Sequence, residues 1–255
     1  MNLKDTLTQL DNQFSQGGSI KPSNINVEPI STGIANLDLA LGVGGLPRGK
    51  IIEVFGAEAS GKTTFALKMI LELDKKNGNS IFFDIEHSFN IEYAQKIGID
   101  LSKLLISQPE TCEQTLEIIE TLIKSNLVDL IIVDSVAALM PKSVDIDQNI
   151  GSLQAQLLSD GLRKIARIIT KSNVCLVCIN QIRNKMFSNV TITPGGKALK
   201  FYAAIRIELK RIASIKSGYD TSGYRIKASI IKNKVASPFK EAEFVILHNE
   251  GIKER

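Results

Sequence analysis

Membrane, secretory and metal-centre signatures are largely missing from this sequence of 255 residues. It has no run of about eighteen uncharged apolar residues, as a membrane-spanning helix would require. Its N-terminus, MNLKDTLTQLD, has neither the apolar core of a signal peptide nor the Arg-rich, acid-poor composition of a transit peptide. There are only two histidines, and no partner histidine lies near His87 to complete a metal site. These absences predict a cytoplasmic protein without membrane contact.

Cysteine is also scarce, with three residues in the chain. Cys175 and Cys178 have C-x-x-C spacing, so a redox or a metal site must be weighed against ordinary thiols. No second pair exists to complete a zinc site. The pair lies in a β-branched-rich strand pattern, where residues three apart point to opposite faces. We therefore expect buried, unreactive thiols.

The net charge of +4 hides an asymmetry between the two parts of the chain. Residues 1–150 hold 12 Lys or Arg and 20 Asp or Glu, whereas residues 151–255 hold 19 and 7. A basic half joined to an acidic half suggests a polyanionic partner such as nucleic acid. Charge alone fits a solvated basic face slightly better.

The stretch IIEVFGAEASGKTT, residues 51–64, contains the G-x-x-x-x-G-K-[ST] phosphate loop between a predicted strand and a predicted helix. Glycines allow backbone N–H groups to approach phosphate oxygens, the lysine reaches the β- and γ-phosphates, and the following threonine can ligate Mg²⁺. A chance glycine-rich turn would not carry the flanking strand and helix. The predicted nucleotide-binding residues are Gly56, Ala57, Glu58, Ala59, Ser60, Gly61, Lys62, Thr63 and Thr64.

Three further predicted strands end in polar side chains. Asp134 follows LIIV, where it can hold Mg²⁺ together with Thr63 or alternatively cap the next segment. Glu86 follows another strand, where a carboxylate can orient and deprotonate a water. Gln181 follows a third and can bind a γ-phosphate oxygen. The basic and aromatic residues after it suit single-stranded nucleic acid, namely Arg183, Lys185, Phe187 and Lys197, in a loop closed by Gly195 and Gly196.

The order of predicted elements indicates an α/β fold. Strands and helices alternate from residue 51 to residue 179, and three strands follow at 202–212, 223–231 and 241–247. This order predicts a mostly parallel central sheet with helices on both faces and an antiparallel extension. Residues 1–29 are predicted to be an amphipathic helix and a linker. A lone amphipathic helix cannot bury its own apolar stripe, so it must dock either on its own core or on a neighbouring subunit, where it would serve oligomerisation. Residues 30–255 would form the ATPase core.

Taken together, these motifs resemble the bacterial RecA recombinase family over nearly the whole chain. The resemblance rests on ISTGIANLDLALGVGGLPRGKIIEVFG, the phosphate loop, DIEH, VDLIIVDSVAALMPK, INQIR, TPGGKALKFYA and IKNKVASPFKEAEF. It implies an ATP- and Mg²⁺-dependent recombinase that forms filaments on single-stranded DNA and pairs it with duplex DNA. Hydrolysis would be DNA-stimulated, and a LexA-type repressor would be a further partner in the response to DNA damage.

The resemblance also implies roles for individual residues. Lys62, Thr63 and Asp134 would hold ATP and Mg²⁺, Glu86 would be the catalytic carboxylate, and Gln181 would sense the γ-phosphate. DNA would bind loops at about 143–155 and 184–196, with Arg163 and Arg183 among the contacts. Tyr93 would stack on the adenine. Lys232 and Lys234 would reach across a filament interface to the ATP of a neighbouring copy, and Phe201 would lie at the same interface.

The sequence departs from the family pattern in several places. Both DNA loops are a few residues short, and Asn90 stands where an acid usually helps to hold adenine. The family's smaller C-terminal domain is expected to be missing, so that ATP chemistry would survive better than homologous pairing. These departures motivate an alternative, a reduced accessory protein that binds ATP and DNA, or a partner filament, without strand exchange. A related motor core, such as a hexameric helicase or a clock-type ATPase, fits the KNK and GGKALKFYA segments less well.

Overall fold

A computed structural model describes residues 28–142, 150–184, 191–192, 196–217 and 220–253. The predicted N-terminal helix lies outside these residues. The helices are α1 (Ala35–Leu41), α2 (Lys62–Asp74), α3 (Ile91–Lys96), α4 (Cys112–Ser125), α5 (Ile150–Ile169) and α6 (Ala198–Tyr202). The strands are β1 (Lys50–Gly56), β2 (Ser80–Asp84), β3 (Leu105–Ser107), β4 (Leu130–Asp134), β5 (Cys175–Gln181), β6 (Arg183–Asn184), β7 (Thr191–Ile192), β8 (Ile205–Ser217), β9 (Asp220–Asn233), β10 (Glu241–Leu247) and β11 (Gly251–Lys253).

Nine of the strands form one sheet in the order β11-β10-β9-β8-β1-β5-β4-β2-β3. The six strands from β8 to β3 pair in parallel, and β9, β10 and β11 are added in antiparallel pairing. Buried apolar runs in β1, β2, β4 and β5 account for their central places, because parallel strands are covered on both faces. The predicted fold class is therefore confirmed.

Helices cover both faces of the sheet and divide the core in two. One hydrophobic cluster includes α1, α2 and Ala94 of α3, and the other includes α4, α5 and Leu199 of α6. Cys175 belongs to the first cluster and Cys178 to the second, so their side chains lie on opposite faces of the sheet. Burial raises the pKa of the Cys175 thiol to about 12, and it also raises the pKa of the Cys178 thiol. The interpretation as buried thiols agrees with this arrangement.

Several element boundaries differ from the predicted ones. The strand expected at 202–212 begins at Ile205, because Ala198–Tyr202 forms a short helix with Ala203 as its C-cap. The two hairpin strands β8 and β9 are longer than expected. Helix α1 and strand β11 were not expected at all, since both are short. Within the described residues, the structure has no helix with the length and apolarity needed to traverse a bilayer.

The segment ISTGIANLD is held together by one carboxylate. Asp38 in α1 accepts hydrogen bonds from the Ser31 hydroxyl at 2.6 Å, the Thr32 hydroxyl at 2.7 Å and the Thr32 backbone N–H at 2.9 Å. The Asp38 side chain therefore fixes the turn before a helix that has no side-chain cap at Ile34. Leu37 and Leu41 of the same helix are fully buried, so this turn aims α1 into the core.

Removal of this carboxylate should destabilise the fold. We expect Asp38→Ala to lower the free energy of unfolding by about 2–4 kcal/mol, because three donors lose a charged acceptor. Asp38→Asn keeps one acceptor oxygen and should cost less. Urea denaturation measures both, with Asn36→Ala at an exposed position of the same helix as control. An Asp38→Ala protein as stable as the control would contradict the assignment.

Candidate nucleotide site

The phosphate loop joins the end of β1 to the start of α2. Gly61 has a φ of +87°, and a Cβ there would lie 2.3 Å from the Ile246 side chain. A Cβ on Gly56 would lie 2.3 Å from the Leu209 carbonyl oxygen and 2.6 Å from Ser60 Oγ. Close packing therefore requires glycine at both positions, and the backbone conformation favours it at Gly61 as well. The loop wraps around the N-terminus of a thirteen-residue helix, where backbone N–H groups attract anions.

Lys62 lies under this loop and is mostly buried. Its ammonium donates to the carbonyl oxygens of Ala57 at 2.7 Å and Gly56 at 3.2 Å. Burial lowers the pKa of Lys62, while the nearby carboxylates of Asp134, Glu86 and Glu58 oppose that change. The ammonium is thus a positive group in a poorly hydrated place, held where the loop can present it to phosphate oxygens.

Thr63 and Asp134 form the predicted pair for a divalent cation. The Thr63 hydroxyl donates to Asp134 Oδ2 at 2.6 Å. Burial raises the pKa of the Asp134 carboxyl to about 6, the Thr63 hydrogen bond acts in the opposite direction, and the Glu86 carboxylate adds to the increase. A hydroxyl and a carboxylate oxygen are the ligand types that Mg²⁺ prefers, so this pair fits Mg²⁺ bound together with phosphate oxygens and water.

Glu86 lies in the same cavity and is hydrogen-bonded from two sides. Its Oε1 accepts from Gln181 Nε2 at 2.8 Å and also from the Ser135 hydroxyl. Asp84, two residues earlier, is buried and accepts from the backbone N–H groups of Ser88 and Phe89. These bonds fix the turn that carries Glu86. The cavity has a volume of about 250 Å³ and is lined by Glu58, Ala59, Gly61, Lys62, Thr63, Thr64, Glu86, Asp134 and Gln181.

Tyr93 lies beside the start of α2. Its hydroxyl is 3.5 Å from Thr64 Oγ1, at the limit of a hydrogen bond. Asn90 caps α3 by accepting from the Tyr93 backbone N–H at 2.8 Å. The amide at position 90 therefore orients the helix that carries Tyr93, which places the ring next to the phosphate loop.

Lys232 and Lys234 are not among the residues that line the cavity. Lys232 donates to the carbonyl oxygens of Lys200 at 2.7 Å and Phe201 at 3.0 Å. Lys234 lies with its Nζ 5.9 Å from the centre of the Phe201 ring. Phe201 itself is 69% exposed. The two lysines and the exposed ring thus form a separate surface, which we call the KNK face.

The predicted DNA-binding residues are only partly described. Arg163 is exposed on α5 and lies 3.5 Å from Asp160. Lys197 is exposed at the start of α6. A Cβ on Gly196 would lie 3.0 Å from Ala155 of α5. Gly196, at the end of the second predicted loop, therefore lies close to Ala155, at the end of the first. The backbone of Arg183 pairs with Ile192 in the small β6–β7 sheet. Lys185, Phe187 and Gly195 lie outside the described residues.

Two buried polar side chains make contacts between distant segments that the sequence did not indicate. Gln154, a buried residue of α5, donates from Nε2 to the carbonyl oxygens of Val136, Ala137 and Leu139, at 3.3, 3.4 and 2.8 Å. Glu53 of β1 is buried between Arg206 and Asn180. A glutamate inside the apolar run IIEVF was the available signal, but its partners are far away in sequence.

Known proteins match nearly the whole chain. The RecA N-terminal domain family matches residues 1–253. The protein RecA of Citrifermentans bemidjiense is 50% identical over 96% of this chain and 76% of its own length, and that of Clostridium acetobutylicum is 47% identical over 96% and 73%. A crystal structure of the RadB recombinase aligns with a TM-score of 0.68 at 25% identity, covering 89% of this chain and 99% of its own.

The buried carboxyl of Asp134 predicts a pH dependence of stability. Its pKa is raised from an unfolded value of about 4 to about 6, so the folded state binds the extra proton within this window. The contribution of the Asp134 carboxyl to the free energy of unfolding should therefore fall by roughly 2–3 kcal/mol as the pH rises from about 4 to about 6. Asp134→Asn should remove that component from denaturation curves measured across the window.

Asp160→Asn, at an exposed position of α5, is the control, and its difference from wild type should not follow this window. A constant difference between wild type and Asp134→Asn from pH 4 to pH 7 would contradict the prediction.

Proposed function

The chain belongs to the RecA family, and we propose that it is a cytoplasmic, ATP-dependent DNA recombinase of the type found in that family. The RecA relatives and the RadB recombinase make a recombinase the function that the comparisons favour. The accessory-protein alternative is not favoured, because the similarity runs through both the nucleotide site and the antiparallel extension. We propose as partners single-stranded DNA, duplex DNA, further copies of this chain and a LexA-type repressor.

One observation carries the ATPase part of this proposal. Lys62, Thr63, Asp134, Glu86 and Gln181 come from four separate segments and meet around one cavity. They supply a cation for the phosphates, a ligand pair for Mg²⁺, a carboxylate for the attacking water and an amide for the γ-phosphate. Bound Mg²⁺ would neutralise developing charge on the phosphate oxygens.

In the proposed reaction, Glu86 orients a water for attack on the γ-phosphate and accepts its proton. The Ser135 hydroxyl and the Gln181 amide, which hydrogen-bond to Glu86, hold the carboxylate in position for this task. Lys62 stabilises the negative charge of the β- and γ-phosphates. Tyr93 would stack on the adenine, since its ring lies beside the phosphate loop.

We propose that the KNK face completes the nucleotide site of a neighbouring copy. Lys232 and Lys234 carry positive charge at some distance from the cavity of their own chain, next to the exposed Phe201 ring. A surface of one copy that contacts a different surface of the next gives a closed ring if the rotation closes and an open helical filament if it does not; we propose the filament. ATP bound between copies would then couple hydrolysis to assembly.

The DNA-binding part rests on the two loops near the start of α5. Their ends meet at Ala155 and Gly196, and Gln154 ties the same helix to the turn after Asp134. We propose that Arg163, Arg183, Lys185 and Lys197 contact phosphates of single-stranded DNA and that Phe187 stacks on a base. Gly195 and Gly196 would let the backbone approach the strand.

Single-stranded DNA should stimulate ATP hydrolysis, and Glu86→Gln should abolish it. We expect kcat to fall by at least about 100-fold while the affinity for ATP stays within a few-fold, because the amide keeps the hydrogen bonds but cannot take a proton. Phosphate release with and without DNA measures the effect, with Glu110→Gln at an exposed position as control. Hydrolysis that stays absent at saturating DNA, although ATP binds, would refute the proposed activity.

Mixing two inactive variants tests whether the site is shared between copies. Lys232→Gln and Glu86→Gln should each be inactive alone, yet an equal mixture should regain up to about a quarter of the activity, since that fraction of random head-to-tail contacts joins two intact halves. A mixture of Lys62→Ala with Glu86→Gln is the control and should stay inactive, because both changes lie in the same half. No recovery in the first mixture would argue against a shared site.

A further inference from the structure

Glu53 lies in the middle of the central sheet, outside the nucleotide cavity. It is the fourth residue of β1, and its side chain is fully buried. A buried carboxylate is costly unless it is paired and hydrogen-bonded. In this chain Glu53 has one partner on each neighbouring strand, and each partner connects it to a different part of the molecule.

The first direction leads to Gln181 through Asn180 of β5. Glu53 Oε1 accepts from Asn180 Nδ2 at 3.1 Å, and Asn180 Oδ1 accepts from the backbone N–H of Gln181 at 3.0 Å. Gln181 in turn donates from Nε2 to Glu86. Because an ionised carboxylate only accepts hydrogen bonds, Glu53 excludes the flipped orientation of the Asn180 amide. The Glu53 carboxylate therefore favours the orientation in which Asn180 presents its oxygen to Gln181.

The second direction leads to the KNK face through Arg206 of β8. Arg206 Nε donates to Glu53 Oε2, and its guanidinium lies 4.5 Å from the centre of the Phe55 ring. Arg206 stands opposite Glu53 on one side and opposite Lys232 of β9 on the other. Like charges on directly opposite residues of antiparallel strands are destabilising, so the carboxylate of Glu53 compensates the pair Arg206 and Lys232.

We propose that Glu53 is a positioning residue for ATP hydrolysis, which holds the Asn180 amide so that Gln181 is aimed at Glu86 and ties this arrangement to the strand pair that carries Lys232. This role rests on the proposed function, since it concerns the γ-phosphate sensor of the same site. It extends that function to a continuous path of contacts inside one chain, from the KNK face through β8, β1 and β5 to the catalytic carboxylate.

The variant Glu53→Gln removes the charge and preserves the shape. We expect kcat for DNA-stimulated hydrolysis to fall about 10- to 100-fold, by analogy with the loss of an outer hydrogen-bond partner that orients a metal-binding side chain. The KM for ATP should stay within about threefold, because the phosphate loop is untouched. Glu241→Gln is the control for the same change of side chain, since Glu241 also accepts from one cation and one neutral donor, Lys227 and Ser229, but lies partly exposed on β10.

Two further measurements keep the proposal testable if Glu53→Gln folds poorly. Asn180→Leu keeps Arg206 as the partner of Glu53 and interrupts the path to Gln181, so it should show the same loss of kcat. The hydrogen exchange of the Gln181 backbone N–H, followed by NMR without nucleotide, should accelerate about tenfold or more in Glu53→Gln, because its acceptor is then free to turn away. The control Glu241→Gln should exchange like wild type.

The outcomes separate this proposal from the one it rests on. Wild-type kcat and wild-type exchange in Glu53→Gln would overturn the positioning role. A raised KM together with a lowered melting temperature, at unchanged kcat, would mean that Glu53 only stabilises the sheet and would overturn the role as well. If the wild-type chain does not hydrolyse ATP with single-stranded DNA, the proposed function fails, and the exchange of the Gln181 N–H alone then decides whether Glu53 positions it.

Discussion

The nucleotide site depends on the register of four parallel strands. Gly56 at the end of β1 pairs with Gln181 at the end of β5, and Asp84 at the end of β2 pairs with Asp134 at the end of β4. Carboxyl ends of parallel strands meet at one edge of a sheet, so four distant segments deliver their polar residues together. A shift of one residue in any pairing would turn the affected side chains to the opposite face and disperse the site.

Burial of charge is the second constraint on this edge of the sheet. Lys62, Asp134 and Glu86 share one small cavity, where burial lowers the pKa of the lysine and raises that of Asp134. The hydrogen bonds that Asp134 and Glu86 accept from Thr63, Ser135 and Gln181 come from neutral donors. A ligand that brings phosphates and a divalent cation supplies the missing opposite charges, so the electrostatics of the cavity agree with the proposed substrate.

The sequence predicted those parts of the molecule that are encoded locally. The phosphate loop and the polar strand ends are short patterns, and most of the residues predicted from them, though not Gly56, Ala57 and Ser60, line the cavity. The alternation of strands and helices likewise gave the fold class. Contacts between distant segments could not be predicted, because strand order and register are not local properties. Glu53 shows this, since its partners Asn180 and Arg206 lie 127 and 153 residues further along the chain. The boundary between α6 and β8 was also missed, since nothing in KALKFYAAIRIEL separates a short helix from a strand by periodicity.

The start of α5 links the two halves of the proposed function. The Gln154 amide nitrogen lies within hydrogen-bond distance of three carbonyl oxygens in the turn after β4. Its neighbour Ala155 lies close to Gly196 of the second loop. The shortest of these contacts is the 2.8 Å hydrogen bond to the Leu139 carbonyl oxygen, so movement of this end of the helix would break a buried hydrogen bond. The turn in question begins with Ser135, which donates to Glu86. DNA bound at the loops and ATP bound at the cavity would therefore act on the same short piece of backbone. This shared anchor gives a physical reason for hydrolysis to respond to DNA.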